Sequence, residues 1–177
     1  CEKPDAMTAV QVEEMKAARD RSGKTLLVMR NNRFLDASDV VRSLIKEGKT
    51  GELYTGRCGW IRRRGIPGAG GWFTTKAQSG GGVLIDWGVH FLDLILYILG
   101  GAKLKTVTCD TYGEMAKDMS EYRYLGMWAE DTKDLNGTND VEDFVSGYIR
   151  TESVDFLQRS LGTKYRGRRN VYRFSRR

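Results

Sequence analysis

His90, the only histidine in the chain, stands in a strongly apolar run with Asp86 four residues before it and Asp93 three after it. An imidazole beside carboxylates is suited to accept a proton near neutral pH, the work of a general base. Asp86, His90, Asp93 and Tyr97 fall at i, i+4, i+7 and i+11, one face of a helix predicted over Val83 to Leu99. Leu84, Ile85, Trp87, Val89, Phe91, Leu92, Leu94, Ile95, Leu96, Ile98 and Leu99 cover the remainder. Ser79-Gly80-Gly81-Gly82 leads in, and Gly100-Gly101 supplies a left-handed stop. The competing explanation is a core histidine satisfied by a neighbouring carbonyl. Asp86, one turn away, weighs toward chemistry, because a buried carboxylate costs several kcal/mol unless it is paired. A bilayer span is disfavoured, since Asp86, His90 and Asp93 would each cost roughly 2.5–3.5 kcal/mol at a bilayer centre.

The run Ser79-Gly80-Gly81-Gly82-Val83-Leu84-Ile85-Asp86-Trp87-Gly88-Val89-His90-Phe91-Leu92-Asp93 resembles the GGG-x-L-x-D-x-G-x-H-x-x-D signature of the Gfo/Idh/MocA oxidoreductases, the family of glucose-fructose oxidoreductase and inositol dehydrogenase. Glu2-Lys3-Pro4 is similar to the family's E-K-P turn, which follows a strand of the nucleotide-binding domain and carries a lysine to the nicotinamide. Asn32-Arg33-Phe34, Gly65-Ile66-Pro67-Gly68 with Gly71-Trp72-Phe73, and Asp140-Val141-Glu142-Asp143-Phe144 agree, so the resemblance runs from Cys1 to about Ser153. It implies an oxidoreductase that uses NAD or NADP to oxidise a secondary alcohol of a sugar, polyol or related hydroxy compound, or to reduce the ketone. On this resemblance Lys3, Asp86 and His90 are the catalytic residues: His90 takes the hydroxyl proton, Asp86 fixes the substrate hydroxyl or the imidazole, and Lys3 supplies positive charge. Glu2, Lys3 and Pro4 are implied as cofactor contacts, and Lys3, Arg33, Trp72, Asp86 and His90 as substrate contacts. A cis Lys3–Pro4 bond is implied for the family, while the position of Cys1 just before it leaves a trans bond open here. The resemblance also implies a homo-oligomer for the full-length protein.

Family members open with a Rossmann unit whose G-x-G-x-x-G brings backbone amides and a helix N-terminus to the pyrophosphate. Neither Gly68, Gly70 and Gly71 nor Gly80 to Gly82 has that spacing, so the chain reads as a fragment starting at the catalytic turn. The alternative is a non-catalytic binding or assembly module derived from the family, with a basic tail for nucleic acid or a protein partner. Coding DNA that continues in frame upstream of Cys1 into a strand and a G-x-G-x-x-G would decide for the enzyme; the feature that suggests the module is charge. The chain of 177 residues carries a net charge of +6, and Lys164, Arg166, Arg168, Arg169, Arg173, Arg176 and Arg177 hold seven of the 29 basic residues. Without those seven, 22 bases face 23 acids, a net of −1. Basic residues among Tyr165, Tyr172 and Phe174 could contact phosphates and stack on bases. The favoured reading is instead a divergent tail that takes no part in nucleic-acid binding. Arg62-Arg63-Arg64 reads as a solvated loop.

With 40% hydrophobic residues, the length suffices for one sizeable core or for the remnant of one domain joined to most of another. Cys1, Cys58 and Cys109 are too widely spaced for a zinc site and odd in number for a disulfide framework, which makes a reducing cytoplasm the expected home, with no metal. Thr8 with Gln11 predicts a capping box for a helix bearing Val10, Met15 and Ala18 and ended by Gly23, followed by a strand at Thr25 to Met29. Asp36 or Ser38 is expected to cap a helix carrying Val40, Val41, Leu44 and Ile45, and Glu52 to Ile61 alternates like a strand. Glycine-rich Gly65 to Gly82 predicts a loop without regular structure. Strands are predicted near Leu104 to Cys109 and Phe144 to Arg150. The fold class is α/β (α+β): a Rossmann remnant at residues 1–34, an α+β catalytic domain with an open, mostly antiparallel sheet at 35–153, and a basic tail at 154–177.

Overall fold

A computed structural model describes residues 1–62, 68–114, 134, 136–162, 169–170 and 173–176. Helix α1, Ala9–Ser22, opens with the predicted capping box: the Gln11 amide donates to Thr8 Oγ1 at 3.3 Å and the Thr8 amide to Gln11 Oε1 at 3.1 Å. It ends at Gly23, whose φ of 63° only glycine adopts freely. No residue of α1 is buried: of the Val10, Met15, Ala18 stripe, Met15 is partly covered and Val10 and Ala18 are exposed among the described residues. The predicted strand at Thr25 to Met29 is not formed. That stretch is extended, but its ladder is limited to Cys1, whose amino group donates to Leu27 O at 2.8 Å and whose carbonyl accepts from the Met29 amide at 2.9 Å.

After a 3₁₀ turn at Asn31–Phe34, helix α2 spans Asp36–Lys46. Its N-cap is Leu35, with no side-chain cap, so neither Asp36 nor Ser38 plays the predicted role. Ser38 is buried and its hydroxyl donates to Asn32 O at 2.7 Å, while Asp36 and Asp39 lie in the first turn, where negative charge complements the helix dipole.

Strand β1, Leu53–Arg62, β2, Leu104–Tyr112, and β3, Phe144–Thr151, match the sequence expectation within a few residues. A fourth strand, β4, Asp155–Gly162, hydrogen-bonds to β3 antiparallel and to β1 parallel. Short strands β5, Arg169–Asn170, and β6, Arg173–Arg176, pair antiparallel with β1. The sheet is therefore open and mostly antiparallel, in the order β2-β3-β4-β1-β5, with β6 also on β1. The motif resemblance runs only to about Ser153, and regular structure continues past that point. Residues just beyond it form an interior strand, whose backbone is satisfied on both edges irrespective of how its side chains alternate.

The glycine-rich segment is also more ordered than predicted. Residues 63–67, which include part of the Arg62-Arg63-Arg64 run and of the Gly65–Gly68 turn, lie outside the described residues. Beyond them, Trp72–Thr74 is a 3₁₀ turn and α3, Lys76–Ser79, a single helical turn. Asp140 supplies a distant cap, its Oδ1 accepting from the Lys76 amide at 2.6 Å.

The predicted continuous helix over Val83 to Leu99 divides in two. Leu84–Gly88 is a π turn, with the Val89 amide reaching back to Leu84 O, and α4 follows at Val89–Ile98. The helical run Lys76–Ile98 has the length and hydropathy of a bilayer span, but Phe91, Leu94, Ile95 and Ile98 bury within the protein's own core. Phe91 and Ile95 join Cys58 of β1 and Ile149 of β3, with Trp60, Trp87, Leu92, Leu96 and Leu99 packed around them. Trp60 stacks on Trp87 at 5.1 Å and on Phe91 at 5.8 Å. Burial pushes the Cys58 thiol up to about 12, which makes it a structural hydrophobe and no nucleophile.

Candidate active site

The helix that carries the site is held at its start by a residue far along the chain. Glu142 accepts the Gly82 amide at Oε2, 2.9 Å, and the Leu84 amide at Oε1, 3.1 Å, while its carbonyl accepts the Val83 amide at 3.0 Å. Those are amides a helix start leaves without internal partners, and a carboxylate there also suits the helix dipole. Only glycine fits at position 82, since a Cβ there would lie 2.0 Å from Glu142 O.

From this fixed start the π turn presents Asp86 to the N-terminal loop. Lys3 Nζ donates to the Asp86 carbonyl at 2.8 Å and forms an ion pair with Asp86 Oδ1. The two side chains are about four-fifths buried, at 20% and 22% exposure, so the pair is partly shielded from screening. The Lys3–Pro4 bond is cis. Asp86 thus spends its carboxylate on Lys3, and the imidazole of His90 is left otherwise placed: its Nδ1 is buried without a hydrogen-bond partner among the described residues. Burial is the main cause that lowers the affinity of His90 for a proton; Lys3 and Arg30 act in the same direction, and Asp86 and Asp93 oppose them. The Asp86 carboxylate does raise that affinity, as its place one turn away suggests, but the other effects win. His90 is accordingly held in its neutral form at pH 7. Trp87 lies against it, ring centroids 6.0 Å apart.

Arg33 reaches the same helix one turn further on. Its Nε donates to Asp93 Oδ2 at 2.7 Å and its Nη2 to Asp93 Oδ1 at 2.5 Å, a two-point fork that raises its already high pKa. Arg33 and Arg42 both lie over the Tyr97 ring, at 5.1 and 4.5 Å. Trp72 is 52% exposed and meets Phe73 edge-on at 4.5 Å; among the described contacts it touches none of Lys3, Asp86 or His90. Glu2 is exposed. The geometry therefore unites Lys3, Asp86 and His90, sets Arg33 beside them through Asp93, and leaves Trp72 and Glu2 apart.

Three contributors escaped the sequence reading. Glu142 belongs to the quoted Asp140-to-Phe144 run but was given no role. Arg30 was not singled out, nor was Asp5, although Arg30 forms an ion pair with Asp5 and lies 3.6 Å from Asp93 Oδ1 through Nε. Sequence separations of 25 and 63 residues carry no periodicity that could reveal those contacts.

The profile of the GFO/IDH/MocA C-terminal domain matches residues 39–172. The chain belongs to the Gfo/Idh/MocA family. That span passes beyond Ser153, where the motif-based resemblance ended, and takes in β4. D-glucoside 3-dehydrogenase of Escherichia coli is 36% identical over 157 residues, 89% of this chain and 42% of that protein. The NADP-dependent scyllo-inositol 2-dehydrogenase of Bacillus subtilis is 29% identical over 121 residues, 68% of this chain and 33% of its own length. Levoglucosan dehydrogenase, solved with NADH and levoglucosan, superposes with a TM-score of 0.71 at 25% identity, over 98% of this chain and 43% of the other. The chain spans less than half the length of these Gfo/Idh/MocA relatives.

Proposed function

We propose that this chain carries the catalytic part of an NAD(P)-dependent oxidoreductase that interconverts a secondary alcohol of a sugar or polyol and its ketone. The observation that carries the reading is the meeting of a lysine from the N-terminal loop with a carboxylate and a half-buried, neutral imidazole at the start of one helix. Oxidation requires a base for the hydroxyl proton, a cation for the charge developing on oxygen, and an acceptor for the hydride. A nicotinamide, when bound, supplies the acceptor. Everything else falls to this chain's residues. His90 takes the hydroxyl proton, for which its lowered proton affinity leaves it free at neutral pH. Lys3, held by the Asp86 carboxylate and carbonyl, keeps its ammonium beside the oxygen on which negative charge grows. Asp86 acts through Lys3 and needs no contact with the imidazole.

The residues present fit the nicotinamide end of such a cofactor. Lys3 and the Pro4 turn lie beside Asp86, and the Lys3 side chain keeps 20% of its surface exposed to a ligand. The sugar and polyol relatives support the substrate class, and those named with NADH or NADP support the cofactor. In the complete gene product, assayed with methyl D-glucoside and with myo-inositol in the presence of NAD or NADP, His90→Ala is expected to lower kcat about 10²–10⁴-fold with cofactor affinity preserved. Turnover equal to that of the unaltered protein would overturn the assignment of His90 as the base.

A further inference from the structure

Lys3 alone does not explain how an N-terminal loop is kept in register with a helix more than eighty residues away. Two residues after Lys3, Asp5 forms an ion pair with Arg30 Nη2. On its other side, Arg30 Nε lies 3.6 Å from Asp93 Oδ1, and Asp93 in turn holds the Arg33 fork. Arg30 is 17% exposed and Asp93 16%, so this is no loose surface pair. We propose that Arg30 is a positioning residue of the site, clamped between Asp5 and Asp93 so that the loop delivering Lys3 is fixed against α4. This rests on the reading of His90 as the base.

The chemistry of the side chain supports the assignment. A guanidinium offers donors on several edges in a rigid plane, so it can bridge two carboxylates that a single ammonium could not hold in a fixed geometry. Its Nη1 is buried and unpartnered among the described residues. Three cations, Lys3, Arg30 and Arg33, meet three anions, Asp5, Asp86 and Asp93, so the cluster is electrically balanced. Part-buried ion pairs of this kind give little net stability, because desolvation offsets most of the attraction; what they fix is geometry. The charged groups that act on His90 come from four elements: Lys3 from the N-terminal loop, Arg30 from the extended segment before the 3₁₀ turn, Asp86 from the π turn and Asp93 from α4. Arg33 shares Asp93 but is not among them.

This difference between two arginines on one carboxylate gives a test that needs no substrate. In the complete gene product with ¹³C-labelled histidine, the His90 signal is identified by its loss in His90→Gln, and its titration is followed by NMR. Arg30→Met is expected to move the midpoint upward. Arg30→Lys, which keeps the charge but not the two-sided bridge, should return the midpoint only part of the way, and Arg33→Met should leave it unchanged. Should Arg30→Met fail to fold, Arg30→Gln carries the same expectation. An unmoved midpoint without the Arg30 charge, or an equal shift in Arg33→Met, would overturn the proposal. Neither result touches the role of His90 itself, which the turnover of His90→Ala decides separately.

Discussion

The helical run from Leu84 to Ile98 has two sides that are held by different physics. Toward the sheet it presents Phe91 and Ile95, each no more than 2% exposed, against Cys58, Trp60 and Ile149. Toward residues 1–34 it presents Asp86 and Asp93, gripped by Lys3, Arg30 and Arg33. The apolar side is held by burial, which is non-directional and contributes roughly 25 cal/mol per Å². The polar side is held by directional contacts that add little stability and determine where each charge sits. The proposed site lies on the second side, where charges are placed, and the first side anchors the helix that carries it.

That contrast can be broken from either side, and the largest change in stability is expected on the apolar one. Phe91→Ala removes a ring stacked against Trp60 and should lower the unfolding free energy by about 3–5 kcal/mol in denaturant titrations. A loss below about 1 kcal/mol would mean that the sheet does not anchor the helix. On the polar side, Lys3→Met preserves side-chain length and removes the charge. It should reduce kcat about 10²-fold in the complete gene product while moving stability by about 1 kcal/mol or less. A raised KM at unaltered kcat would instead assign Lys3 to binding alone.

The smallest effect is a pH dependence. Folding lowers the pKa of His90 below its ordinary value of 6.5, so the unfolded chain binds the proton more readily. Stability from this group is therefore complete above pH 6.5 and declines as the pH falls from there toward the folded value. Thermal unfolding followed between pH 7.5 and 5 should show a shallower acid decline in His90→Gln than in the unaltered protein. Equal slopes would show that His90 titrates alike in the folded and unfolded chain.

How much of this was legible in the sequence follows the same division. The apolar side was readable, because a buried stripe leaves a period, and so were the Thr8 capping box and β1, β2 and β3. The π turn was not, since an extra residue per turn leaves the same residue types in the same order and is settled by tertiary contacts. Strand β4 was missed because its partners are 100 residues away in β1 and close by in β3, and pairing of that kind has no local signature. Lys3 was found through the resemblance and not through spacing. Arg30 and Glu142 were missed because their partners are set by the closed fold: a lone arginine beside an extended segment, or a glutamate in an acidic run, reads as a solvated surface charge.

The central claim is that one side of this helix does chemistry while the other holds the fold, and His90→Ala tests it most directly when turnover and unfolding are measured on the same preparation of the complete gene product. The account predicts kcat lowered about 10²–10⁴-fold with an unfolding free energy at pH 7.5 within about 1 kcal/mol of the unaltered protein. Unaltered turnover together with a loss of about 3 kcal/mol or more, the behaviour expected of Phe91→Ala, would contradict it and make His90 a core residue.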